Sequence, residues 1–95
     1  MKKIKIIAVP PGFAPDKIRK QWVGVEIPLA TKKDFAEDPV SGVTVGNENA
    51  NGYVVLRSKA IIALYDAGRN EAAAFWESLP LGRYLEFKKE ICEAA

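Results

Sequence analysis

The chain contains no histidine, the one side chain whose unperturbed pKa lies near neutrality and the commonest metal ligand. Ser-His-Asp and Cys-His nucleophiles are therefore impossible within it. Cysteine is almost as scarce. Cys92 stands alone, so no disulfide can close within one chain and no thiolate zinc site can complete its ligand set. Near the end of the sequence, that residue reads as a buried filler or a free tail thiol rather than a nucleophile, and cysteine poverty suits a reducing cytoplasm. Long apolar runs are missing too. Nothing approaches the roughly 18 residues of a membrane span, and the basic, apolar opening Lys2 to Val9 meets Pro10-Pro11 well short of the about 7 to 15 residues of an export-signal core. Finally, no charge dominates: 14 Lys+Arg against 12 Asp+Glu leave +2, which disfavours a strongly polyanion-seeking protein.

What is present is enough Leu, Ile, Val and Phe to build one core, in a chain whose length fits a single domain over residues 1–95. Residues 3–9 alternate as a half-buried strand, with Ile4, Ile6 and Ala8 on one face. A short helix follows near 17–21, with Asp16 as its expected cap. Residues 23–29 give the clearest strand, since Val23, Val25, Ile27 and Leu29 fall at period two, and Pro28, which cannot donate to a ladder, belongs at a sheet edge. Residues 31–42 read as a loop. Val43 to Val45 and Tyr53 to Leu56 flank an Asn/Gly-rich stretch and predict a hairpin.

Two helices come next, at about 59–67 and 70–79, with Ser58 and Asn70 as expected caps and Gly68 at the left-handed end of the first. Ala72, Phe75, Trp76 and Leu79 share a stripe that predicts a buried face, and Pro80 ends it. Residues 83–89 alternate as a last strand around Leu85 and Phe87, and 90–95 either extend it or fray. The order predicts an α+β fold: a small curved, mostly antiparallel sheet or partly open barrel of 4–5 strands, with the two helices packed on one face.

Charge is unevenly spread. Residues 1–33 carry eight basic and two acidic groups, whereas residues 34–50 carry four acidic and none basic. Lys17, Arg19, Lys20, Lys32 and Lys33 could meet phosphates with Trp22 stacking on a base; the plainer reading is a solvated helix face beside a core tryptophan. Asp34, Glu37 and Asp38 form the one carboxylate cluster, but no glycine-hinged calcium loop surrounds them, so a solvated loop is preferred and no metal site is assigned.

Three residues suggest a protein contact. Phe13, in Pro10-Pro11-Gly12-Phe13-Ala14-Pro15, either covers the sheet or stands out for a partner. Trp22 is opposite in parity to Val23 and Val25, which opens the sheet's outer face to it, where beside Arg19 it would anchor a contact; the preferred reading is structural, buried beneath the 59–79 helices. Trp76 is assigned to the core. With no catalytic arrangement visible, the sequence reads as a non-catalytic, cofactor-free protein-interaction or assembly module, binding a protein partner or itself. The alternative is a nucleic-acid-binding domain using the basic N-terminal third.

Overall fold

In the computed structural model the described residues are 3–36 and 52–95. They form a small α+β domain whose five strands pair antiparallel, as expected, divided between two sheets instead of lying in one. Strands β1 (Lys3–Ile6), β2 (Glu26–Pro28) and β5 (Cys92–Ala94) make the first sheet in the order β2-β1-β5, while β3 (Gly52–Leu56) and β4 (Tyr84–Lys88) make the second. The helices are α1 (Asp16–Arg19), α2 (Lys32–Ala36), α3 (Arg57–Asp66) and α4 (Asn70–Ser78); a 3-10 turn at Lys20–Trp22 continues α1, and another at Lys89–Ile91 joins β4 to β5. The radius of gyration is 12.6 Å, against the roughly 12 Å expected from length. Among the described residues no helix is long and apolar enough to cross a membrane.

Register follows the alternation of β1. The Ile6 amide donates to Val25 O at 3.0 Å and Ile6 O accepts from Gly24 N at 2.7 Å, while on the other side Ile7 N donates to Ile91 O and Lys3 O accepts from Ala95 N. Ile4 and Ile6 thus turn their backbones to β2 and their side chains inward, where with Ile27 they are fully buried. Lys5, on the outer face, lies opposite Glu26 on one neighbour and Glu93 on the other, a favourable alternation of sign across three strands.

Several sequence expectations are corrected. The strand foreseen at 23–29 is regular only over Glu26–Pro28, because Gly24 takes φ +89° and makes a turn with Val23, a conformation that interrupts a strand and that glycine adopts without a Cβ clash. Pro28 does lie on an edge strand, as foreseen. The segment read as a loop from residue 31 contains α2, whose start is a reciprocal cap: Thr31 N donates to Asp34 Oδ2 at 2.7 Å and Asp34 N donates to Thr31 Oγ1 at 3.3 Å. The hairpin partner expected at 43–45 lies outside the described residues; β3 pairs with β4 instead. That pairing is close at one end, since a Cβ on Gly52 would sit 2.5 Å from the Phe87 carbonyl oxygen.

The expected caps are replaced as well. Asp16 and Asn70 are the first residues of their helices and Ser58 the second of its own, and none of them makes a side-chain cap. α4 is held at its ends by distant residues. Gln21 Oε1 accepts from Ala72 N at 3.1 Å, and Arg57 Nη2 donates to the carbonyls of Trp76, Glu77 and Leu79 at 2.7, 3.0 and 2.8 Å. Gly68 ends α3 as predicted, at φ +77°, with Gly68 N donating to Tyr65 O and Arg69 N to Leu64 O. α3 and α4 pack on each other, α3 also covers β2 and β3, and α1 lies on α4. Trp22, Val25, Val55, Leu64, Ala72 and Ala73 fill the space between.

Candidate interaction site

Beyond β1 the chain runs over the surface and leaves three large apolar side chains in water: Ile7 at 45%, Val9 at 39% and Phe13 at 71% relative exposure. The loop that carries Phe13 is tightly held. Arg19 Nε donates to Ala14 O at 2.8 Å and Nη1 to Pro10 O at 2.9 Å, while Nη2 meets the Asp16 carboxylate. The residue expected as a contact anchor therefore acts as a clamp; its donors are engaged inside the molecule, and the side chain retains 20% of its surface. Pro10, Pro11 and Pro15 add fixed φ angles to the same loop. Ordering this surface has already occurred during folding, so a partner need not supply that entropy.

Beside the loop opens a cleft of about 240 Å³ whose lining includes Pro10, Pro11, Trp22, Trp76, Leu85 and Phe87, with Arg19, Glu86 and Lys88 contributing charged groups. Three of the lining side chains form a chain of rings that Phe13, outside the lining, extends. Phe13 meets Trp76 edge-on with centroids 5.9 Å apart, Trp76 lies 5.9 Å from Trp22, and Trp22 meets Phe87 at 5.1 Å. Separations and tilts of this kind suit the ring quadrupoles. The Trp76 indole nitrogen is buried without an acceptor among the described residues, a polar group whose burial is costly when left unpaired.

Trp22 takes the structural place preferred for it, whereas Trp76 departs from its expected one. Trp22 is 1% exposed: the parity argument fails because residues 20–22 form a 3-10 turn and 23–24 a bend, so strand alternation does not extend to it. Trp22 is withdrawn as an exposed anchor and remains part of the cleft lining. Trp76, assigned to the core, is only partly buried, because Ala72 and Ala73, both at 0%, occupy the innermost line of α4 and bring the helix close. Trp76 is the cleft-lining residue that sequence reasoning missed, and its stripe of two small residues beside two large ones was the available signal.

The five cations considered for phosphate contacts are divided between different parts of the fold. Lys17 pairs with Glu71 at 3.1 Å and Arg19 with Asp16. Lys20 is exposed on the 3-10 turn, and Lys32 and Lys33 lie on α2, which is tied to the second sheet by the Tyr84 hydroxyl donating to Asp34 O at 3.1 Å. Of the carboxylate cluster, Asp34 is engaged in capping α2, and Glu37 and Asp38 lie outside the described residues. Burial pushes the thiol of Cys92 up to about 11, the opposite of an activated thiolate. The chain matches no known protein family, no curated protein and no solved structure.

Proposed function

We propose that this chain is a non-catalytic protein-interaction or assembly module that contacts its partner, a protein or a second copy of itself, through Phe13 and the adjoining aromatic cleft. One observation carries the reading: a phenylalanine 71% exposed on a loop that Arg19 clamps at two carbonyls and one carboxylate. Water-facing aromatics cost solubility, and one clamped in place beside an aromatic cleft is of the kind that binds proteins. The cleft beside it accepts one or two apolar side chains, and the Trp76 edge gives it the character of a binding hot spot. A reducing compartment suits the free thiol of Cys92.

The test compares the intact chain with Phe13→Ala. Sedimentation at two concentrations reads self-association, and affinity capture from cells that make the chain reads other partners. The reading expects one of the two to be present in the intact chain and lost in the variant, at unchanged thermal stability. Association that persists in Phe13→Ala, or that is absent from the intact chain in both assays, overturns it.

Nucleic-acid binding through Lys17, Arg19, Lys20, Lys32 and Lys33 has less support, because two of the five cations are already paired with carboxylates. Electrophoretic shifts with single- and double-stranded probes at about 50 mM salt separate the readings, since phosphate contacts fall steeply with salt.

A further inference from the structure

On a face that shares no lining residue with the aromatic cleft, a groove of about 460 Å³ runs between the outer edge of β2 and one side of α3. We propose that this groove takes an extended segment of a partner protein, which adds to β2 as a further antiparallel strand of the first sheet. Because Ile6 exchanges its backbone hydrogen bonds with the Gly24–Val25 segment, and Ile4 lies in register with Ile27, the peptide groups of Ile27 point toward β1. Those of Glu26 and the carbonyl of Pro28 point the other way, where no strand among the described residues pairs with them; beyond them Ala30 N, on the same side, donates to Val54 O of β3 at 3.0 Å, so the free edge ends at Pro28. One donor and two acceptors therefore wait at the edge, enough to exchange a pair of bonds at Glu26 and accept one more at Pro28.

The helix side of the groove gives side-chain selectivity. Lys59, Ile62, Ala63 and Asp66 fall at i, i+3, i+4 and i+7 of α3 and all line it, a single stripe with apolar residues between a cation and an anion. Ile62 is 56% exposed, and neither Lys59 nor Asp66 has an ion-pair partner among the described residues. The two charges are about 10 Å apart along the helix axis, a distance that three to four extended residues cover. The complementary segment is acidic, spacer, apolar, spacer, basic: its acid meets Lys59, its apolar side chain covers Ile62 and Ala63, and its base meets Asp66. Backbone pairing supplies the affinity and the alternate side chains supply the choice of sequence.

A second copy of this chain is the poorer occupant. Two-fold pairing of β2 with itself at Glu26 sets two carboxylates directly opposite each other, and the register that pairs Glu26 with Pro28 loses a donor in both strands, because proline has none.

The experiment titrates the isotope-labelled full chain with two synthetic peptides, one carrying the pattern Glu-Thr-Val-Thr-Lys between neutral flanks and one with Glu and Lys exchanged, and follows backbone amides by NMR and hydrogen exchange. The expected result is a shift and slowed exchange of the Glu26 amide with the first peptide, weakening about fivefold with the second, as the loss of two weak exposed ion pairs predicts. Ile62→Asp, at a solvent-facing position, should abolish the response while leaving the rest of the spectrum in place, and N-methylation of the valine's neighbours should do the same by removing the pairing amides. No response of Glu26 up to about 1 mM peptide, a range that covers weak contacts of this size, overturns the proposal. So does an equal response in Ile62→Asp, or protection of Glu26 that grows with protein concentration without peptide, which would identify self-pairing. None of these readouts involves Phe13, so the proposal stands or falls apart from the aromatic cleft.

Discussion

Trp22 and Trp76 lie 5.9 Å apart in the same ring cluster and have opposite duties. Trp22 is sealed beneath α4 and against Phe87 and is 1% exposed; Trp76 stands at the boundary, with one neighbour, Phe13, mostly in water. The difference teaches that one aromatic cluster spans a sealed end and a water-facing end, and on the proposed reading the second serves recognition. Ring contacts run outward from Trp22 through Trp76 to Phe13, whose loop the Arg19 clamp ties down.

The sharpest way to break this contrast is to truncate each indole. Trp22→Ala should cost about 3–5 kcal/mol in urea unfolding, the range for a large core aromatic, and Trp76→Ala about 2 kcal/mol, in proportion to its partial burial. Equal costs would refute the division of roles. Acrylamide quenching adds a gentler check: fluorescence of Trp76→Phe, which leaves Trp22 alone, should resist quenching, whereas Trp22→Phe should quench readily.

Gly52→Ala should rank next, at about 1–3 kcal/mol, because the new Cβ would meet the Phe87 carbonyl at 2.5 Å and displace the ring that packs on Trp22. A neutral midpoint shift in urea would mean that β3 and β4 do not approach as described. Arg57→Ala acts on the opposite side of the comparison. It removes the donor shared by the carbonyls of Trp76, Glu77 and Leu79, and should cost about 1.5 kcal/mol while raising the quenching of Trp76 and leaving that of Trp22 unchanged.

The smallest expected effect comes from Cys92. Its thiol is held protonated by burial, with the folded value at about 11 against the ordinary 9.0. This contribution to stability is fully present below pH 9 and is lost as pH rises toward 11, since the unfolded chain releases the proton first. Alkylation near pH 8 should be slow in the native protein and fast in urea; equal rates would contradict the burial.

These outcomes also bear on how much the sequence disclosed. The α+β class, the inward row of Ile4, Ile6 and Ile27, the paired helices and Gly68 at their joint were legible because each rests on local periodicity or on one residue's backbone freedom. The ends of α4 were not. Its caps come from Gln21 and Arg57, 51 residues from Ala72 and 19 from Trp76, so the local capping rules that favoured Asn70 had no means of finding them. The outer-face alternative for Trp22 fails for a related reason, since strand alternation does not extend past Gly24 into the turn that precedes it. α2 was an oversight of a different kind, because Thr31 and Asp34 stood at capping-box spacing in the sequence itself. Within the candidate site, the proline-rich surroundings of Phe13 left it either covering the sheet or exposed, and both its exposure and the conversion of Arg19 from contact residue to clamp depended on the course of a loop that only coordinates reveal.

The most direct test of the central claim is partner binding by Phe13→Ala measured together with its melting temperature. The claim predicts that binding by the intact chain is lost in the variant while the melting temperature stays within about 1–2 °C, as expected for an exposed side chain with few internal contacts. Binding that survives the substitution, or a loss that occurs only because the fold has melted, would contradict it.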